Sequence, residues 1–168
     1  MRLSVFICFV ILMVPSASFA QESTTPGYTA FDQQQFAKLR AGVGTWNCVD
    51  IPANKKPDVI STTQQGNWFV SHETGDNPNT SYTRWSHGYR HYFSATMDPQ
   101  GDMTVAITTD PDPYNATWKY TSPTTTPRNK PLPPYKVSLS GNTMISEGTF
   151  YDNKDKLQRF KSTCVKQM

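Results

Sequence analysis

The sequence is poor in charged residues and in long apolar segments. Asp, Glu, Lys and Arg make up 17% of the chain, and the formal net charge is +3. A charge this weak excludes the strongly basic surface of a nucleic-acid-binding protein, so we expect no nucleic-acid partner. No apolar run after residue 20 is long enough for a transmembrane helix, so we expect no membrane span. The hydrophobic residues, 36% of the chain, still predict a globular domain with a core.

The sequence also lacks the short motifs of common catalytic and cofactor chemistry. It has no GxSxG, phosphate-binding loop, HExxH, CxxC or dinucleotide-binding pattern. Its acidic residues fall largely in turn-forming segments, for example Asp98, Asp102 and Asp152, where they favour turn geometry. We therefore assign no catalytic residue, no metal ligand and no cofactor.

The first twenty residues are typical of a cleaved secretory signal. Arg2 precedes the apolar run 5–14, and Ser18 and Ala20 are small residues at the positions that a signal peptidase reads. We predict cleavage near Ala20 and a mature protein that is periplasmic or secreted. Residues 21–28 are polar and predict a flexible tail. Residues 29–168 predict a single domain.

Cysteine is scarce, with three residues in the whole chain. Cys8 lies in the predicted signal, which leaves Cys48 and Cys164 in the mature protein. An even pair in an exported protein predicts a disulfide, because oxidising compartments let such bonds form and persist.

One short helix is predicted directly before the first strand. Phe31, Phe36 and Leu39 lie close to one helical stripe, and Thr29 with Asp32 three residues later forms a capping signal. Gly42 and Gly44 follow, and we expect them to end the helix.

After Gly44 the sequence predicts eight to ten short antiparallel strands joined mostly by tight turns. Alternating apolar and polar residues mark these strands, as in residues 103–108 and 135–140. Residues 81–97 are read as one long strand, in which Gly88 marks a bend or bulge. Residues 121–134 hold five prolines and predict a stiff loop over one end of the sheet.

The positions of the two cysteines predict which strands of the sheet lie side by side. Cys48 lies in the first predicted strand and Cys164 in the last, and a disulfide needs α carbons within about 7 Å. First and last strands of a meander become neighbours only when the sheet closes. We therefore predict an all-β fold, a closed antiparallel meander barrel of eight to ten strands with one short N-terminal helix. In this register Trp46 lies opposite Lys166, and Asp50 lies opposite Ser162.

The helix followed by Gly44-Thr45-Trp46 at the first strand resembles the opening of a lipocalin, a calycin-type barrel. More narrowly, this opening with Cys48 and the late Cys164 is similar to small secreted bacterial lipocalin-like proteins of unassigned function. The resemblance implies that Trp46 packs at the closed base of the barrel, under a basic side chain from the last strand. By register that side chain is Lys166, where lipocalins usually have arginine. The resemblance also implies a cavity for a small ligand, and it implies no reaction.

The alternation of side chains between the two faces of each strand identifies the candidate ligand-binding residues. If the faces with the largest apolar groups point inward, the cavity wall includes an aromatic set with one histidine: Trp68, Tyr89, His91, Phe93 and Trp118.

The three histidines leave two interpretations open. His72, His87 and His91 could converge in the lumen as ligands for zinc, copper or haem. Alternatively, Gly88 breaks the parity and leaves them half-exposed and hydrogen-bonded to neighbours.

Three classes of function are compatible with the sequence. The leading hypothesis is an exported barrel that holds a small apolar or aromatic molecule. The second is an enzyme, of isomerase or cyclase type, that uses a histidine or tyrosine in the same cavity. The third is a structural envelope protein whose barrel is filled by side chains. The residues indicate no oligomeric state.

Overall fold

The computed structural model describes residues 27–52, 56–121, 131–152, 154 and 156–168. The predicted signal segment, residues 21–26 of the predicted tail and residues 122–130 of the proline-rich segment lie outside the described residues. Within the described part, helix α1 (Ala30–Leu39) and a 3-10 turn (Arg40–Gly42) precede ten strands. The strands are β1 (Gly44–Ile51), β2 (Asp58–Gln65), β3 (Trp68–Thr74), β4 (Asn79–Ser86), β5 (His91–Met97), β6 (Met103–Thr108), β7 (Asn115–Thr121), β8 (Tyr135–Ser140), β9 (Thr143–Tyr151) and β10 (Leu157–Lys166).

The strands form a closed barrel. Each strand pairs antiparallel with the next along the chain, and β1 also pairs with β10. Closure leaves no long unpaired sheet edge, which is the usual liability of a meander. The predicted closed antiparallel meander barrel with one short helix is confirmed.

The seam between β1 and β10 has the predicted register. Trp46 lies opposite Lys166 and Asp50 opposite Ser162. Cys48 and Cys164 are also opposite each other, and a disulfide joins them across the seam with 4.0 Å between their α carbons. The bond links residues 116 apart in sequence, so it ties the first strand of the barrel to the last.

Helix α1 closes one end of the barrel. Its N-terminus has the predicted capping box, in which Thr29 and Asp32 satisfy each other's backbone N–H groups. Phe36 and Leu39 are buried in the core, whereas Phe31 on the predicted stripe is 44% exposed at the rim. We call this closed end, where β1 begins, the plugged end, and the opposite end, where β1 finishes, the far end. No helix in the described residues is long and apolar enough to cross a bilayer.

Trp46 anchors the 3-10 turn that follows α1, and we call α1 together with this turn the plug. Trp46 is 1% exposed, and its indole N–H donates a 2.9 Å hydrogen bond to the carbonyl of Gly42. The Lys166 Nζ lies 5.2 Å from the centroid of the Trp46 ring. A basic side chain from the last strand therefore covers this tryptophan, as the resemblance implied.

The single long strand predicted over residues 81–97 is two strands in the structure. Residues 81–97 are divided between β4 and β5, which pair with each other around a turn at residues 87–90. The Arg90 N–H donates to the carbonyl of Ser86 at 2.8 Å, and Arg90 has a positive φ of 53°. The prediction of a bend or bulge at Gly88 is therefore wrong, because the chain reverses completely there.

Candidate functional site

A cavity lies inside the barrel and extends from the plug to the strand ends that hold Glu73 and Asn79. It has a volume of about 190 Å³. Its wall has two sides of different chemistry, one apolar and aromatic on β7 to β9 and one rich in hydroxyl groups on β2 to β5. The lining residues that decide this contrast are Trp118, Tyr135, Val137, Met144, Thr62, Ser71, Glu73, Ser81, Thr83 and Ser94.

The apolar side is built around Trp118 and Tyr135. These residues lie opposite each other on β7 and β8, and their rings are stacked with 6.4 Å between centroids and 12° between planes. The Trp118 N–H donates to the carbonyl of Pro113 at 3.0 Å, which fixes the ring. Burial raises the pKa of the Tyr135 phenol, so this hydroxyl stays neutral. This side therefore offers a flat, uncharged surface.

The hydroxyl side consists of cross-strand pairs. Thr83 and Ser94 lie opposite each other with 3.0 Å between their oxygens, and Thr62 and Ser71 do so with 2.8 Å. Each hydroxyl has one donor and two acceptor sites, so a paired hydroxyl group keeps capacity for a further hydrogen bond. This side can therefore bind a polar group without losing its own pairs.

Glu73 is the one charged side chain among the described residues that line the cavity. Its carboxylate accepts a 2.7 Å hydrogen bond from the Asn79 side-chain amide. Burial raises the pKa of the Glu73 carboxyl, and the charges of Asp58 and Asp50 raise it further, against the lowering effect of the Asn79 bond. Glu73 therefore places its carboxyl group toward the far end of the cavity.

The floor of the cavity is the end of the plug. The Tyr114 hydroxyl donates to the carbonyl of Leu39 at 3.0 Å, and its ring lies against Gly42. A Cβ on Gly42 would collide with the Tyr114 ring, so glycine is required for this close approach. Burial raises the pKa of the Tyr114 phenol, which stays neutral like that of Tyr135.

The structure divides the predicted ligand-binding residues between two places. Trp118 lines the cavity, as expected. The other four, Trp68, Tyr89, His91 and Phe93, line a groove of about 430 Å³ on the outer face of the barrel. These four side chains therefore do not line this cavity, and their role in ligand binding stays a prediction.

The physical reason is that the same strands have aromatic side chains on both of their faces. Tyr92 is fully buried and packs on Trp85 with 5.0 Å between ring centroids, under the plug. The neighbours of Tyr92 along β5, His91 and Phe93, consequently point outward, while Ser94 points inward. Parity predicts that Phe93 and Ser94 face opposite sides, but not which of them faces the core.

The three histidines do not converge. His72 contacts the Thr80 hydroxyl at 3.1 Å, His91 stacks on Tyr89 outside the barrel, and His87 contacts Asp32 beside the plug at 2.9 Å. Among the described residues, no group of three or more His, Cys, Asp or Glu side chains is placed to hold a metal ion.

Asp32 forms a polar cluster that the sequence predicted only in part. Besides its capping bonds with Thr29, its carboxylate accepts a 2.7 Å bond from the Trp85 N–H and contacts His87. Burial by itself raises the pKa of the Asp32 carboxyl, but the hydrogen bonds from Thr29, Trp85 and His87 outweigh it and hold the pKa far below its usual range. This cluster fastens α1 to β4 and does not reach the cavity.

Sequence reasoning missed the polar half of the cavity. Ser71 and Glu73 alternate on β3, as Ser81 and Thr83 do on β4. The signal is present as small polar residues two apart, but the sequence prediction places the apolar side chains of the alternate positions, such as Trp68, in the lumen instead. No protein-family model matches the chain, and a search of curated proteins gives no match.

Proposed function

We propose that this protein is an exported, lipocalin-like barrel that binds a small molecule with an apolar or aromatic body in its central cavity. A hydrogen-bond donor or protonated nitrogen on that molecule faces Glu73. The observation that carries the proposal is the two-sided cavity, in which a ring surface faces a hydroxyl surface with a carboxylate beside it.

The volume of the cavity limits the size of the ligand. Drug-sized ligands occupy pockets of about 300 to 1,000 Å³, whereas an apolar cavity of about 150 Å³ holds benzene. At about 190 Å³, the cavity accommodates a single ring with a short polar substituent.

The chemistry of the two sides sets the orientation of that ligand. The ring packs against Trp118 and Tyr135, because aromatic pairs stabilise each other beyond the area that they bury. The polar substituent points to the Thr83 and Ser94 hydroxyls and to Glu73. A cationic group there also relieves the repulsion that Glu73 experiences from Asp58 and Asp50.

Export is supported by two features. Arg2 precedes the apolar run 5–14, a pattern of signal type. The disulfide between Cys48 and Cys164 fits an oxidising compartment.

The test compares three one-ring probes by isothermal titration calorimetry at pH 7: benzylamine, benzyl alcohol and benzoate. We expect saturable binding in the order benzylamine, benzyl alcohol, benzoate, because only the amine complements the Glu73 charge. Glu73→Gln should remove the preference for benzylamine and leave the binding of benzyl alcohol unchanged.

A cavity-filling variant tests the location. Ser94→Leu should abolish binding of all three probes, whereas the matched control Ser138→Leu, at an exposed position of β8, should bind like the wild type. Binding that survives Ser94→Leu, or no saturable heat with any probe, would contradict the proposal.

A further inference from the structure

The outer groove is a second concave site, separate from the cavity. It lies on the outside of β3 to β6, with one residue of β7 at its edge. The described residues that line it are Trp68, Arg84, Ser86, Tyr89, His91, Phe93, Val105, Ile107 and Thr121. The outward side chains of a small antiparallel barrel are normally polar, so this apolar lining is unusual.

The aromatic rings at the groove pack edge to face. Trp68 meets Phe93 with 6.3 Å between centroids and 71° between planes, and it meets Tyr82 with 6.4 Å and 88°. In an edge-to-face cluster, some ring faces remain open for a further ring. Tyr89 and His91 stack on each other at the same groove, and Tyr89 is 80% exposed.

Arg84 is the one Lys, Arg, Asp or Glu side chain among the described lining residues. Its guanidinium carbon lies 4.9 Å from the Trp68 ring centroid. Its Nη2 donates to the Tyr28 hydroxyl at 3.1 Å and its Nε to the Trp85 carbonyl at 3.3 Å. These bonds use two of the five guanidinium donors and hold the group in place, so further donors are available for an anion.

The opposite outer face of the barrel has a larger concavity, of about 520 Å³, with a charged lining. There, Lys136 on β8, Glu147 on β9 and Lys161 on β10 lie in one cross-strand row of alternating charge. Both signs are present there, so that lining does not select an anion over a cation. The groove, in contrast, combines several rings with one fixed positive charge.

We propose that the outer groove binds a flat aromatic anion, such as an aromatic carboxylate or sulfonate. The ring system lies against Trp68 and Phe93, and the anionic group accepts hydrogen bonds from Arg84. The volume of about 430 Å³ lies in the range of small-molecule pockets, and a mostly apolar lining with a few convergent polar groups is typical of them. This inference does not depend on the function proposed for the cavity.

The experiment uses 8-anilinonaphthalene-1-sulfonate as the anionic probe and N-phenyl-1-naphthylamine as its neutral analogue. Both are too large for the cavity of about 190 Å³, so the cavity-filling Ser94→Leu variant should bind them like the wild type. We expect one saturable site for the sulfonate, followed by its fluorescence. Arg84→Gln should weaken the sulfonate about tenfold, as for the loss of one charge-assisted hydrogen bond, and change the neutral probe less than about twofold. Arg84→Lys should recover part of the sulfonate affinity.

A matched pair of variants tests the location. Val105→Glu places a carboxylate in the groove and should abolish binding of the sulfonate, whereas Val49→Glu makes the same change at a 69% exposed position of β1 and should leave binding unchanged. Thermal melts of each variant verify that the fold is intact, since partly unfolded proteins also bind such dyes. Equal effects of Val105→Glu and Val49→Glu would overturn the proposal. So would a dimer in sedimentation that Val105→Glu dissociates, because a second copy would then occupy the groove.

Discussion

At the plugged end, indole N–H groups have fixed partners: Trp46 donates to the Gly42 carbonyl and Trp85 to the Asp32 carboxylate. Toward the far end, the charges of Asp58 and Asp50 raise the pKa of the Glu73 carboxyl. The first arrangement gives two buried indole donors an acceptor each, whereas in the second the nearby carboxyl groups disfavour the ionised form of Glu73. We therefore expect the plug to contribute more to the free energy of unfolding than the region around Glu73.

Removal of the Trp46 ring should have the largest effect, because it empties the base of the plug. We expect Trp46→Ala to lower the free energy of unfolding by about 3 to 5 kcal/mol, as for other buried aromatic deletions. Trp68→Ala, a deletion of the same size on the outer face, should cost only about 1 kcal/mol. Urea denaturation of both variants measures the difference. Equal losses would show that the plug is not the main source of stability.

Asp32→Asn should have an intermediate effect at the same end. Because the folded-state pKa of Asp32 is depressed, its contribution to stability is present above the unfolded-state pKa near 3.8 and is lost as the pH falls below it. At pH 7 the variant should lose about 1 to 3 kcal/mol, since a buried charged acceptor is weakened.

The pH dependence separates this effect from a general loss of packing. The difference between Asp32→Asn and the wild type should shrink from about pH 4 downward in thermal melts, and the exposed control Asp102→Asn should show almost no difference at any pH. A difference for Asp32→Asn that stays constant down to pH 2 would contradict the assignment.

Glu73→Gln should have the smallest effect and the opposite sign. A raised folded-state pKa means that the ionised carboxyl costs stability as the pH rises above the unfolded-state value near 4.5. Gln removes that cost and can still accept the bond from Asn79, so the melting temperature at pH 7 should rise by about 1 to 3 °C. At pH 4 and below the two proteins should melt together.

The control for this variant is Glu147→Gln on the exposed outer row, which should leave the melting temperature unchanged at both pH values. If Glu73→Gln destabilised the protein at pH 7, the like-charge repulsion at Glu73 would not be a dominant effect, and the contrast between the two ends would fail.

The sequence predicted the seam and the plug better than it predicted the site. Cys48 and Cys164 define the pairing of β1 with β10, and one pair in an antiparallel sheet fixes the register of all its neighbours. Thr29 and Asp32 likewise define the start of α1 through local chemistry. The first feature follows from there being only two cysteines to pair and the second from local capping chemistry, so the residues alone were sufficient.

The inward and outward faces of β3 to β5 could not be predicted in this way. Phe93 and Tyr92 are both aromatic and adjacent, so hydrophobic alternation gives no preference for either face. The choice depends on α1, which requires Tyr92 for a 2.8 Å hydrogen bond to the Gln35 side chain. That contact spans 57 residues, and no local pattern reveals it.

The order of the strands also determines when the chain becomes a complete barrel. Trp46 and Cys48 are made early, but their partners, Lys166 and Cys164, are among the last residues of the chain. Until β10 is present, β1 and β9 are bare edges that can pair with another molecule. A chain truncated before Leu157 therefore keeps an open sheet with two unpaired edge strands. We expect such a fragment to aggregate rather than fold.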